Sequence, residues 1–269
     1  MKKKTNHKPM PKTLSTNPLY FEKVAKTYNK NMHIQYEVFR KVLELIDSQP
    51  ITTITDIGCG TGIITKKLHD HFNCSKTLGL DQSEAMINHA KSNFQSESEN
   101  ILFKQKTAYE FSKEDQADLI FSNATLQWLP DLDLFFKTLK NSITTPTTIA
   151  FSIFLPTTYH ELAKGLKHII NKSISIPAEQ FKSYDNIKKT CSHYFQDITL
   201  QKHKIIHTYP SIYELLNIIK LTGTKELYPQ IKFTQKTLRT LEEWLLSNYD
   251  KIPASYEIAI GKITTNEIK

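Results

Sequence analysis

Asp56-Ile57-Gly58-Cys59-Gly60-Thr61-Gly62 is the stretch that decides the fold. The whole chain has only seven glycines, and three of them fall here, so the clustering has a backbone cause. Upstream, Ile51 to Ile57 is a run of strand formers; downstream, Ile63 to Phe72 is apolar at helical spacing. A strand, a loop of residues without side chains and then a helix let a nucleotide-like ligand approach the main chain at the carboxyl edge of a sheet. A dinucleotide fold places its third glycine one residue later, where Ile63 stands, and seats a pyrophosphate on the helix N-terminus. Asp56 also argues against phosphate. A carboxylate at the end of the first strand repels it, but anchors a cationic amino group directly or through water.

The next strand ends in Gly79-Leu80-Asp81, 21 residues after Gly60. An acidic residue at that distance is expected to hydrogen-bond a pair of ribose hydroxyls; the alternative is a helix N-cap. Gln82 and Met86 follow, placed to flank an adenine, Met86 as a soft apolar contact. S-adenosylmethionine carries a ribose, an adenine and an ammonium, and has no phosphate.

Further out, strand and helix patterns alternate, as they do when helices cover both faces of a parallel sheet. The strands expected after Ile51 to Ile57 are Lys76 to Leu80, Ile101 to Gln105, Ala117 to Ser122 and Thr147 to Phe154. Helices are expected over Ile63 to Phe72, Ser83 to Asn93 and Leu132 to Ser142, with one helix or a broken pair over Glu22 to Ile46. Beyond Pro156 the alternation fails. Three helical patterns, near Tyr159 to Lys172, Ser211 to Leu221 and Thr234 to Ser247, suggest a lid, while His203 to Tyr209 and Tyr256 to Ile263 alternate like strands that close one edge of the sheet. The expected organisation is a basic disordered leader (1–20), a cofactor-binding core (21–155), a helical lid or substrate region with a late strand (156–250) and a closing strand with its tail (251–269). The fold class is α/β, a doubly wound and mostly parallel seven-stranded sheet.

Composition narrows the function classes. At 269 residues and 39% hydrophobic content, the chain can bury a large core. Nothing approaches the roughly 18 uninterrupted apolar residues of a membrane span, and Met1 to Lys12 lacks the apolar region of a signal peptide, so a cytoplasmic location is expected. Cys59, Cys74 and Cys191 have neither disulfide arithmetic nor metal-ligand spacing, and no metal is expected. Of the net charge of +8, Lys2, Lys3, Lys4, Lys8 and Lys12 supply five ahead of the first acidic residue. The remaining body is mildly basic, suited to an acidic protein partner as well as to RNA.

After the fourth strand, Ser122-Asn123-Ala124-Thr125-Leu126-Gln127-Trp128-Leu129 makes a polar-then-aromatic turn where substrate meets cofactor. Asn123 and Gln127 are the side chains expected to face the ligand, whereas Leu126 and Trp128 serve equally well as core. Nucleobase methylation is disfavoured: Asn17-Pro18-Leu19-Tyr20 lies in the leader, no cysteine follows a proline, and no proline grips a base at this turn.

With these residues in place, Asp56 to Gly62 and Gly79 to Asp81 resemble the first two motifs of the class I S-adenosylmethionine-dependent methyltransferases. The acidic residue which that family often carries after its third strand is missing from Gln105-Lys106-Thr107-Ala108-Tyr109. Over nearly its whole length the chain resembles the malonyl-acyl-carrier-protein O-methyltransferases of biotin synthesis. The resemblance is carried by Phe21, Ala25, Tyr28 and Gln35, by Asn123, Gln127 and Trp128, by Ser211 with Ile219 to Thr224, and by Ser255-Tyr256-Glu257; Thr224 stands where the family has a small Ala. It implies methyl transfer from S-adenosylmethionine to the free carboxylate of malonyl-acyl carrier protein, which is an acidic partner.

It also implies that Gln35, Thr107, Ala108, Asn123 and Ala124 join Asp56, Gly58, Gly60, Gly62, Asp81, Gln82 and Met86 around the cofactor. Tyr28, Gln127 and Lys220 are the candidates at the substrate: Tyr28 as a lid residue over the cofactor or as core packing, and Lys220 as the cation that a buried carboxylate requires or as a solvated surface lysine. A carboxylate is already ionised at neutral pH, which fits the lack of any acid/base pair. A methyltransferase for a free small acid or a quinone, a non-catalytic assembly factor of the same fold, and an RNA methyltransferase remain open at this point.

Overall fold

A computed structural model describes residues 25, 27–46, 50–95, 99–170, 174–222 and 233–265. The expected leader, Phe21, Gly223 and Thr224 lie outside them. Fifteen elements position the site, in the order α1 (His33–Leu43), β1 (Thr53–Ile57), α2 (Ile63–Phe72), β2 (Lys76–Asp81), α3 (Glu84–Ala90), β3 (Ile101–Gln105), β4 (Leu119–Ser122), α4 (Leu132–Ser142), β5 (Thr147–Phe154), α5 (His160–Ile170), α6 (Tyr184–Tyr194), β6 (Asp197–Tyr209), α7 (Ile212–Leu221), α8 (Gln235–Tyr249) and β7 (Ile252–Thr265).

One seven-stranded sheet runs β3-β2-β1-β4-β5-β7-β6. The first five strands pair in parallel, and β7 lies antiparallel between β5 and β6. Each residue of β5 is buried, as expected of a central strand covered on both faces. On one face α1, α2, α5, α7 and α8 pack around Ile54, Phe121 and Ile258; on the other, α4 and α6 bury Phe135, Phe136 and Ile187 against Ile120 and Phe151. A smaller cluster seats α3 through Ile87 and Ala90 on Ile101 and Phe103 of β3.

The sequence marks most helix starts. Ser83, Asp131, Ser183, Ser211 and Thr234 each accept a main-chain N–H of the first turn, a cap that contributes about 1 kcal/mol. The N-terminal helical pattern is a broken pair: helical residues over 27–31 stop at Met32, where α1 begins. Beyond Pro156 the outcome is mixed. The two late strands complete the sheet as expected and are longer than read, and α6 is a helix that the sequence reading left out. Among the described residues no helix is long and apolar enough to cross a membrane.

Candidate active site

Strand order reverses between β1 and β4, and a cavity of about 300 Å³ opens there at the carboxyl edge. Its floor is the loop after β1. Gly58 and Cys59 donate their N–H groups to Leu80 O at 2.7 and 2.9 Å, which pins the loop to β2. Asp56, Gly58 and Gly60 line the cavity. Gly62 does not: a Cβ there would stand 2.7 Å from the Phe103 ring, so this glycine makes room for packing behind the loop.

From the end of β2, Asp81, Gln82 and Met86 form the next wall. Asp81 accepts Gly60 N–H on one carboxylate oxygen at 2.9 Å and Ser83 N–H on the other at 2.8 Å. Ser83 is the cap of α3, so Asp81 instead braces the glycine loop and keeps lone pairs for a ligand. Thr107 and Ala108 line the cavity after β3, with the Thr107 N–H and hydroxyl both donating to Glu110 at 2.8 Å. Lys106 turns its ammonium to Asp115 and Ser112, so the site gains no cation from it.

Asn123 and Ala124 close the wall after β4, but Asn123 spends its amide on structure. It donates to Gln35 O at 2.8 Å and accepts the Ser152 hydroxyl at 2.8 Å, which ties α1 to the sheet edge. Tyr28 and Gln35 cover the top. A second cavity of about 40 Å³ adjoins the first and shares Tyr28, Gln35, Ala124 and Trp128 with it. Gln127 lines this smaller one, where it donates to Ala124 O at 2.6 Å. Lys220 is exposed and lines neither cavity. On α7 the inward positions are Ile212, Leu215 and Ile219, and one residue further turns about 100° away.

The electrostatics are those of a site for a cation. Two carboxylates face one buried space; burial pushes the Asp56 carboxyl up to about 7, opposed by the Thr65 hydroxyl that donates to it at 2.6 Å and aided by the charge of Asp81. Burial raises Asp81 as well, and raises Tyr28 further under the influence of Asp81. Among the described residues the buried Gln35 side-chain oxygen has no hydrogen-bond partner, an acceptor that a donor-bearing ligand would satisfy. A phosphate would meet these acceptors with like charge.

Because the folded-state pKa of Asp56 lies above its ordinary value, its contribution to stability is present below about pH 4 and is lost as pH rises through about 7. An ammonium ligand favours the ionised form. Its affinity is therefore expected to rise between pH 6 and 8 in the wild type and to stay flat in Asp56→Asn, read by calorimetric titration across that range. A flat wild-type profile would remove Asp56 from the ammonium site.

The family model for a methyltransferase domain matches residues 54–144, the span from β1 to the end of α4. Malonyl-[acyl-carrier protein] O-methyltransferase 2 of Ilyobacter polytropus is 31% identical over 231 residues, 85% of this chain and 88% of that protein. This chain belongs to the malonyl-[acyl-carrier protein] O-methyltransferase family. A second O-methyltransferase of that name, from Acetivibrio thermocellus, is 27% identical over 248 residues, 86% of this chain and 87% of its own. Among solved structures, the N-methyltransferase NodS of Bradyrhizobium japonicum, in complex with S-adenosyl-L-homocysteine, superposes with a TM-score of 0.55 at 12% identity; the match covers 93% of this chain and 100% of that one. At that identity the likeness concerns the fold alone. Family and fold make the chain a methyltransferase, and S-adenosylmethionine fits its glycine floor, acidic walls and unpaired Gln35 oxygen.

Several lining residues escaped the sequence reading of this methyltransferase. Tyr159, Thr222 and Tyr256 line the small cavity. Tyr256 and Thr222 stood without a role in the family-like stretches Ser255-Tyr256-Glu257 and Ile219 to Thr224; nothing local marks Tyr159.

Proposed function

We propose that this protein transfers a methyl group from S-adenosylmethionine to the free carboxylate of malonyl-acyl carrier protein, giving the methyl ester that opens pimeloyl and biotin synthesis. The observation that carries the reading is the pair of carboxylates, buried Asp56 and half-buried Asp81, on a glycine floor with no lysine ammonium or arginine guanidinium turned inward among the described residues, in a chain 31% identical to an O-methyltransferase of that name. When bound, S-adenosylmethionine supplies an electrophilic methyl, and the carboxylate oxygen bonds to it as the carbon–sulfur pair returns to sulfur, with no proton transferred.

The chain's own residues bind and orient. Asp56 and the Gln35 oxygen meet the ammonium, Asp81 meets the ribose hydroxyls, and the main chain at Gly58 and Gly60 lets the ligand lie flat on the loop. Gln82, Met86, Thr107 and Ala108 flank the adenine. Asn123 and Ala124 set the edge where the two cavities join, and Tyr28 lies over that junction and excludes water from it. Gln127 holds the substrate-side turn. The small cavity draws half of its wall from residues after Pro156, among them Thr158, Tyr159, Ala178, Phe181 and Thr222, which supports a substrate role for 156–250. A mildly basic body favours encounter with an acidic carrier protein, and a carrier-bound substrate fits a cytoplasmic location.

Release of S-adenosylhomocysteine, followed in parallel with malonyl-carrier protein, free malonic acid and a quinone precursor, tests the substrate. Turnover confined to the carrier-bound acid is expected. Turnover with a free acid or quinone would transfer the reading to a small-molecule methyltransferase.

A further inference from the structure

We propose that the small cavity is the subsite for the reacting carboxylate, which is held there by neutral phenol donors, Tyr159 and Tyr256, and not by a lysine or arginine. The inference rests on the reading that the substrate is a carboxylate. At about 40 Å³ the cavity suits a group of that size, since one water needs roughly 10–15 Å³. It also borders the main cavity through Tyr28, Gln35, Ala124 and Trp128, so an oxygen placed in it faces the methyl-bearing end of a ligand on the glycine floor.

Three polar lining groups are already engaged within the protein, which points to the phenols. Gln127 spends its amide on Ala124 O and Phe154 N–H. Thr158 donates to Glu257 O at 3.1 Å, and Thr222 donates to Ile218 O at 2.8 Å within its own helix. Among the described residues no lysine or arginine lines this cavity. The Tyr159 and Tyr256 rings stand 5.0 Å apart, edge to face, and the Tyr256 hydroxyl lies 2.8 Å from that of Tyr209. The Tyr209–Tyr256 link needs only one of the three hydroxyl protons, which leaves phenol protons to donate into the cavity that Tyr159 and Tyr256 line. Burial raises all three phenols, which therefore stay protonated donors at neutral pH.

The backbone is built to hold this arrangement. Tyr159 has φ +61°, a left-handed conformation costly for an aromatic residue, and its N–H is tied to Ser255 O at 2.7 Å. Ser255 is itself gripped by the buried Glu161, which accepts its N–H at 3.1 Å and its hydroxyl. Strain paid for by a buried network in the wall of a cavity marks a position where the side chain has to point one way. Neutral donors also suit the chemistry. They orient the anion without quenching it as a fixed cation would, and a neutral ester product keeps no ion pair to delay its release.

Tyr159→Phe and Tyr256→Phe test the subsite by kcat and KM with malonyl-carrier protein, together with calorimetric binding of that carrier to protein saturated with S-adenosylhomocysteine. A fall in kcat/KM and in carrier affinity of about tenfold to a hundredfold is expected, the effect of one hydrogen bond to a charged group. The Kd for S-adenosylmethionine should stay at its wild-type value in both variants, and the Tm in Tyr159→Phe, which a merely structural role would not allow. Tyr209→Phe lies at the outer end of the chain and should lower kcat/KM about two- to fivefold, so it decides the matter if Tyr256→Phe does not fold. Wild-type kinetics and carrier affinity in Tyr159→Phe overturn the subsite, as does a loss found in Lys220→Ala in their place. Failure of the wild type to turn over or bind malonyl-carrier protein overturns the substrate reading instead.

Discussion

Gly58→Ala is expected to unfold the glycine floor and abolish methyl transfer. A Cβ at this position would stand 2.2 Å from Thr125 Cγ2 and 2.7 Å from Thr125 Cβ. Thr125 is too short to swing aside, and its hydroxyl is committed to Asn123 O and Gly58 O, so the β1 and β4 loops must part. The left-handed φ of +76° adds strain. Together these cost roughly 2 to 4 kcal/mol, a large share of the stability of an ordinary domain. Thermal unfolding followed by circular dichroism measures the loss. Gly60→Ala separates folding from binding: its Cβ meets nothing within 4 Å and projects from a loop that lines the cavity, so the protein should fold with only about 1 kcal/mol lost while ligand affinity collapses. Equal Tm losses in the two variants would contradict the asymmetry.

Asp81→Ala is expected to weaken S-adenosylmethionine by on the order of a hundredfold or more, because two charge-assisted contacts disappear at once. The two oxygens of this carboxylate hold the N–H groups of Gly60 and Ser83, so its loss frees the loop as well as the ribose site. Asp81→Asn keeps the shape and one acceptor, and should fall between wild type and alanine. Isothermal titration reads both, and an alanine variant that binds as tightly as the wild type would remove the ribose role.

How much of this was legible in the sequence follows from what each signal encodes. The floor was readable because Gly58, Gly60 and Asp56 are local choices that only a strand-to-helix ligand loop explains. Strand β5 and helices α2 and α4 start and stop where periodicity and caps place them. Helix α6 escaped because Tyr184 to Tyr194 buries only Ile187 and Cys191, too few apolar residues for a stripe to stand out. Strand β6 lies at the sheet edge, where charged residues such as Lys202 and Lys204 break the alternation that marked only its last half.

The site itself was legible where one loop carries it and obscure where distant segments meet. Asn123 could be placed at the junction, but not its bonds to Gln35 and Ser152, since those depend on a helix 88 residues away and a strand 29 residues away. Lys220 satisfied helical spacing, yet spacing does not say which way a residue beside the buried stripe turns. Tyr159 and Tyr256 come together across β7 from nearly a hundred residues apart, and no local pattern announces a left-handed tyrosine.

The central claim, that a methyl group passes to a carrier-bound carboxylate, is tested most directly by intact-mass spectrometry of malonyl-carrier protein after incubation with the wild-type protein and S-adenosylmethionine, with acetyl-carrier protein as the control without a free carboxylate. The account predicts a gain of one methylene on the malonyl form, located on the distal carboxyl by fragmentation, and none on the acetyl form. An unchanged malonyl mass, with S-adenosylmethionine demonstrably bound, would contradict it.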